Sequence, residues 1–322
     1  MGQNKPTPSF NTVKKSNRQA RSKRLRYSRI LLLAIFAVVA LLLFTCLIFI
    51  VCSITDHFKG DKPNSPNPLS IEYESITKEQ SAIHEGALIN VNLENKYTFP
   101  VSMENALKNI FQNSAKYDDI AYVYEVSYPD WLLNQETLAA FNTMLLKHYE
   151  ETNDNNVRIS SAYRDKKTQE DYEVPVEHSD FHTGYCVAIM EHGWGIKLPN
   201  NHWIFQNCHK FGFVIRYPEH KSEITGVSDY THCLRYVGVA HATYMTQNDL
   251  CLEEYTKLLQ NYTKDSALQI TGMDGHKYAV YYAPATTEVT TIQVPKNYNY
   301  TVSGDNIGGF IITVHLDEPK NA

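Results

Sequence analysis

The chain has 322 residues, 43% hydrophobic and 20% charged, which is the composition of an ordinary globular protein with room for one sizeable domain and a smaller companion. The formal net charge of -5 conceals an asymmetry: residues 1–54 carry nine Lys or Arg and no acid, so the rest holds 21 of the 30 basic side chains and all 35 acidic ones, a balance of -14. So acidic a remainder is a poor partner for nucleic acid or for anionic wall polymers, and any binding must come from a local site.

Ile30 to Ile54 is an uncharged apolar run. As a helix it would span about 37 Å, enough for a bilayer core of about 30 Å. The basic residues ahead of it predict a cytoplasmic tail over 1–29 and an outward-facing remainder. The run is too long for a cleaved signal peptide, so 30–54 is expected to be a transmembrane signal anchor. Cys46 and Cys52 fall inside it, and Cys186, Cys208, Cys233 and Cys251 lie beyond. Four outward cysteines permit two disulfides, and buried free thiols are the alternative.

Residues 55–84, with KPNSPNPLS, are expected to be a stalk. A folded domain is expected over 85–265. The pattern predicts a short helix over Met103–Tyr117 and a clearer one over Gln135–Glu151, where Leu138, Phe141, Leu145 and Tyr149 recur at helical spacing. Strands are expected at Val157–Ala162, Tyr185–Met190, Gly212–Tyr217 and Leu234–Val239. Helical stretches are expected at Asn201–Lys210, His241–Asn248 and Leu252–Tyr262. From 266 to 322, alternation around Tyr278–Tyr282, Thr290–Val294 and Phe310–Val314, with turns at Asp274-Gly275 and Ser303–Asn306, predicts a small all-β module.

Four stretches of the middle domain then resemble one family. Ser161-Ala162-Tyr163-Arg164 with Gln169 is similar to S-G-Y-R and its trailing Gln. His178 to Ile189 is similar to S-x-H-x-T-G-x-A-x-D-I. Trp203 through His209-Lys210-Phe211-Gly212-Phe213 to Arg216-Tyr217-Pro218 is similar to W…H-K-Y-G-F-I-L-R-Y-P. Thr225-Gly226 through Leu234-Arg235-Tyr236-Val237-Gly238, followed by Leu252-Glu253-Glu254-Tyr255, is similar to T-G…E-P-W-H-x-R-Y-V-G and L-E-E-Y. Together, over about 85–262, they resemble the VanY-type D-alanyl-D-alanine carboxypeptidases. The resemblance implies an α+β fold, with a small antiparallel sheet flanked by helices. The cell-membrane location follows from the apolar run above; the resemblance implies, in active relatives, one zinc ion held by two histidines and an aspartate. A glutamate there activates the zinc-bound water.

This sequence departs from that pattern where the chemistry would sit. Ser179 and Thr183-Gly184 fix the register so that Phe181 stands at the first histidine position and Ala188 at the aspartate. Flanking motifs place Tyr230 at the glutamate position and Cys233 at the last histidine. Phe and Ala cannot ligate metal, and Tyr is a poor base at neutral pH. His182 and His232 are adjacent to the altered positions, but neighbouring residues on a strand face opposite ways. Asp229 and His232 reproduce an acid-x-x-His spacing, which leaves a rearranged site open, with Cys186, Cys233 and His182 as a thiolate variant.

What matches is the framework. The resemblance makes Arg164 an anchor for a substrate carbonyl or carboxylate, with Tyr163, Gln169 and Ser179 beside it; bracing of the core is the alternative. His209 and Arg216 are expected to be structural. The short segment between Gln169 and Ser179 is expected to open one rim of the cleft or alter substrate choice. Cys186 and Cys233 either meet inside the altered site or are two unrelated small buried residues.

No catalytic residue, cofactor or metal is therefore expected. The expected function is an inactive carboxypeptidase-like protein that binds peptidoglycan stem peptide or an envelope partner. An active zinc D,D-carboxypeptidase with rearranged ligands and an envelope scaffold with a filled cleft are the alternatives.

Overall fold

The computed structural model describes residues 71–100, 102, 106–117, 121–193, 196–228 and 230–320. The anchor and tail read from sequence, most of the stalk, and Asp229 lie outside them.

The central helix α1 (Gln135–Thr152) begins where Asn134 accepts hydrogen bonds from the Glu136 and Thr137 amides, and ends at Asn153 in the left-handed region. Its buried stripe is Leu138, Phe141, Met144, Leu145 and His148. These side chains pack on a five-stranded sheet through Val157, Ile159, Val187, Ile189, Phe213 and Leu234. The sheet contains β5 (Glu125–Val126), β7 (Val157–Ser161), β8 (Cys186–Glu191), β10 (Cys233–Tyr236) and β9 (Phe213–Ile215), in that spatial order. All pairs are antiparallel except β5 with β7. The sheet and helix are those the sequence pattern predicts, and the parallel edge strand is an addition.

Two expectations are corrected. Within Met103–Tyr117, the described residues from Leu107 to Tyr117 form no α-helix: Leu107–Asn109 (β2) pairs antiparallel with Leu132–Asn134 (β6), and Lys116–Tyr117 (β3) pairs with Ala121–Tyr122 (β4). Ile110, which fits a helical stripe, is buried with its amide bonded to the Trp131 carbonyl. The stalk does not run to residue 84. Tyr73–Glu79 is a strand, β1, and a turn of 3-10 helix follows at Gln80–His84.

β1 pairs antiparallel with β13 (Val289–Pro295), and the C-terminal strands β11 (Leu268–Thr271), β12 (Lys277–Pro284), β15 (Gly309–Pro319) and β14 (Tyr298–Gly304) form an antiparallel sheet in that order. The expected all-β module is present, but it is not a separate unit. Leu268, Ile270, Val280 and Ile311 share one core with Val214, Val237, Met245 and Tyr255 of the preceding domain. His241, buried between them, bonds Tyr255 on one side and Thr313 on the other, each at 2.8 Å.

Candidate functional site

β8 and β10 set the floor. Their register puts Cys233 opposite Ala188 and Arg235 opposite Cys186. Opposed residues on paired strands, and residues two apart on one strand, share a face. Cys186, Ala188 and Cys233 therefore project to one side, where they pack with Phe181, Tyr217, Val227 and Tyr230.

Above this floor opens a cavity of about 530 Å³. Asn92, Arg164, Tyr172, Ser179, Phe181, Tyr217, Thr225 and Tyr230 are among its lining residues. Of the four side chains expected to bind ligand, Arg164 and Ser179 line it. Ser179 also caps the short 3-10 turn Asp180–Thr183. Gln169 is wholly buried behind Arg164, and Tyr163 packs with Ile89, Val91 and Tyr97. Those two support the site instead of facing it.

Arg164 is held on several sides. Its Nε and Nη2 donate to Ser161 Oγ at 3.0 and 2.7 Å, and Nη1 donates to Gln169 Oε1 at 3.3 Å. Its guanidinium carbon lies 3.5 Å from the Tyr172 ring centroid and 4.3 Å from that of Phe181. A guanidinium carries five N–H donors; Ser161 and Gln169 take three, and a hydrogen bond to the Tyr230 phenol draws on the remainder. The Tyr230 phenol is pushed up by burial and by Cys233, against the pull of Arg164. It is a hydrogen-bonding group at neutral pH and not a base.

The segment after Gln169 does not leave an open rim. Gln169 Nε2 holds the Val174 carbonyl at 2.8 Å, and Tyr172, Glu173, Val174 and His178 form the wall over Arg164.

Beneath Phe181 lies a charge network. Asp180 is fully buried and accepts from Arg216 Nε through one oxygen and from Arg235 Nη1 through the other. Arg216 also donates to both oxygens of Glu253, at 3.0 and 2.7 Å, and to the Val91 carbonyl at 3.2 Å. Arg235 donates to the carbonyls of Ala87 and Ile89. Two acids and two guanidiniums balance, as buried charges must. Arg216 is thus a structural residue, as expected; Asp180 and Tyr172 went unremarked in the sequence.

Comparison with known proteins fits this geometry. The VanY family, described as D-alanyl-D-alanine carboxypeptidase, matches residues 172–239. A D-alanyl-D-alanine carboxypeptidase of Enterococcus faecium is 31% identical over 272 residues, covering 78% of this chain and 82% of that one. The chain belongs to the VanY family of D-alanyl-D-alanine carboxypeptidases. A second such carboxypeptidase, from Enterococcus faecalis, is 51% identical over 53 residues, covering 16% of this chain and 20% of its own. The fold is that of the vancomycin-resistance D,D-dipeptidase VanXYg, solved with a D-Ala-D-Ala phosphinate analogue: TM-score 0.64 at 24% identity, covering 76% of this chain and 99% of that one.

The donors on the floor do not fit the zinc of VanY-type relatives. Phe181 and Ala188 offer no lone pair, and the Cys186 and Cys233 sulfurs lie against each other at 2.9 Å. Burial and the neighbouring Cys186 push the Cys233 thiol well up, away from the thiolate a metal needs. His182 turns from the cavity: its Nδ1 meets the Arg164 carbonyl at 2.7 Å and its ring packs edge-on to Phe99. His232 packs edge-on to Tyr230, with ring centroids 4.4 Å apart, and is not a lining residue.

Among the described residues, one group of three metal-type donors converges, and it lies outside this cavity: His148, Asp154 and His202. Asp154 Oδ2 sits 3.6 Å from Nε2 of each histidine. His202 Nδ1 accepts the Ile204 amide at 3.3 Å, capping the helix Trp203–Asn207. That bond places the ring proton on Nε2, facing Asp154. A ligating histidine instead donates from its second nitrogen. The trio reads as the polar junction of two helix ends.

Proposed function

We propose that this protein is a membrane-anchored, outward-facing VanY-family member that binds the D-Ala-D-Ala end of peptidoglycan stem peptides without cleaving it. One observation carries the reading: an open cavity that keeps a braced arginine over a floor of Phe181, Ala188 and Cys233. The braced guanidinium of Arg164 in the cavity wall suits a terminal carboxylate. The apolar floor suits alanine methyls, and no group there activates water. Zinc carboxypeptidase activity would need donors that the described floor lacks, and a filled-cleft scaffold is disfavoured by a cavity of about 530 Å³.

The test uses the full-length chain in detergent, loaded with excess zinc and then given a peptide ending in D-Ala-D-Ala. Binding without released D-alanine is expected. Arg164→Ala should weaken binding about 10- to 100-fold, the equivalent of one charge-assisted hydrogen bond of roughly 1.5–3 kcal/mol. Zinc-dependent release of D-alanine would overturn the inactive reading, and absence of binding would overturn the ligand.

A further inference from the structure

The two buried sulfurs under the cavity are closer than unrelated neighbours need to be. Cys186 Sγ and Cys233 Sγ are 2.9 Å apart, well inside the roughly 3.5–4.0 Å at which non-bonded heavy atoms of similar size rest. Both side chains are fully buried in the cluster they share with Phe181, Ala188 and Tyr217. Each lies on a different strand, 47 residues apart in the chain.

We infer that Cys186 and Cys233 form a disulfide that staples β8 to β10 directly beneath the ligand cavity. The strand register makes the pair diagonal, because Cys186 opposes Arg235 and Cys233 opposes Ala188. Diagonal Cα atoms on flat strands lie about 7–8 Å apart, beyond the roughly 4.4–6.8 Å that a disulfide spans, so closing the bond needs the strand ends to move together. Here the side chains lean together, and only about 0.9 Å of sulfur approach separates the contact from a bond of about 2.05 Å. Cys233 is the first residue of its strand, where its amide bonds the Tyr230 carbonyl in a turn, and the ladder bonds beside it, Ile189 N–H to the His232 carbonyl and Arg216 N–H to the Cys233 carbonyl, must adjust as the sulfurs close.

Cys208 and Cys251 do not compete. Cys208 sits in the helical core cluster beside Ile204 and Phe213, and Cys251 caps the helix Leu252–Leu259. In the bond-forming step the two thiols lose two electrons and two protons and gain one S–S bond. A disulfide of an oxidoreductase or of glutathione takes both electrons and both protons, and leaves as two thiols. Because both sulfurs are sealed in the folded chain, exchange takes place as β10 docks on β8. Once formed, the bond is shielded from reductant.

The full-length chain is refolded in a glutathione redox buffer, unfolded in guanidinium with a thiol alkylator, and mapped by tryptic peptides. The four outward cysteines fall on separate tryptic peptides. The expected result is a cross-linked pair containing Cys186 and Cys233, lighter by two hydrogens than the reduced peptides, with Cys208 and Cys251 alkylated. In the native protein the link should resist dithiothreitol at least about 100-fold longer than in guanidinium, as expected for a sealed bond. Recovery of Cys186 and Cys233 as alkylated thiols, or pairing of either with Cys208 or Cys251, overturns the inference. Cys186→Ser should leave Cys233 alkylated and create no alternative pair. The refolding arm does not depend on peptide binding or on membrane orientation, so failure of the proposed function would leave this result readable.

Discussion

Asp180→Asn removes one charge from a buried group of four and leaves the backbone turn around Ser179 and Phe181 in place. Arg216 keeps Glu253 and the Val91 carbonyl, so its charge remains paired. Arg235 keeps only carbonyl partners, at Ala87, Ile89 and Tyr236, and becomes an uncompensated buried cation. Breaking a buried pair from one side costs about 3–5 kcal/mol, a large share of the roughly 5–15 kcal/mol that holds a domain folded. Glu253→Gln is the matched comparison. Its side chain is 12% exposed and its charge faces Arg216, which would still have Asp180. That change should cost about 1.5–3 kcal/mol, the scale of charge-assisted hydrogen bonds. Urea unfolding followed by tryptophan fluorescence measures both. The reasoning fails if Asp180→Asn unfolds at the wild-type midpoint, or if Glu253→Gln is the more damaging of the two.

Two further outcomes follow from the same packing. A Cβ on Gly304 would lie 2.0 Å from the Ile83 carbonyl oxygen, so Gly304→Ala must push the Gln80–His84 turn off β14, and a fall in thermal midpoint worth about 1–3 kcal/mol or more is expected. Burial and the neighbouring His202, opposed by Asp154, lower the His148 pKa from 6.5 to about 4. The unfolded chain therefore takes up that proton first, so His148 contributes stability above pH 6.5 that is lost as pH falls toward 4. The urea midpoint should decline across that window, and His148→Leu should flatten the decline.

The central sheet and α1 were legible because their apolar spacing is periodic and their partners lie within the same domain. Met103–Tyr117 misled because Ile110 and its neighbours repeat at helical spacing, whereas pairing with Leu132–Asn134 decides their conformation. β1 was hidden because its ladder is completed by Val289–Pro295, far along the chain, and no local signal marks it. At the site, motif register located the floor residues, but periodicity cannot report that two sulfurs touch. The sequence does carry a signal for Asp180. Arg216 directly follows the apolar strand β9 and Arg235 stands in β10, and two buried guanidiniums require an anion nearby.

The pairing of Tyr73–Glu79 with Val289–Pro295, reinforced by the His84–Asn306 contact 222 residues apart, bears on the order in which the protein can assemble. Closing so long a loop costs entropy before any of these contacts forms, so β1 is expected to dock late. The helix and five-stranded sheet under the cavity have all been synthesised by Tyr236. The N-terminal strand, though made first, must wait for the last quarter of the chain. Until then its backbone edge is unpaired, and a ribosome stall or truncation before Val289 would release a chain with a nearly complete cavity and an exposed, aggregation-prone strand.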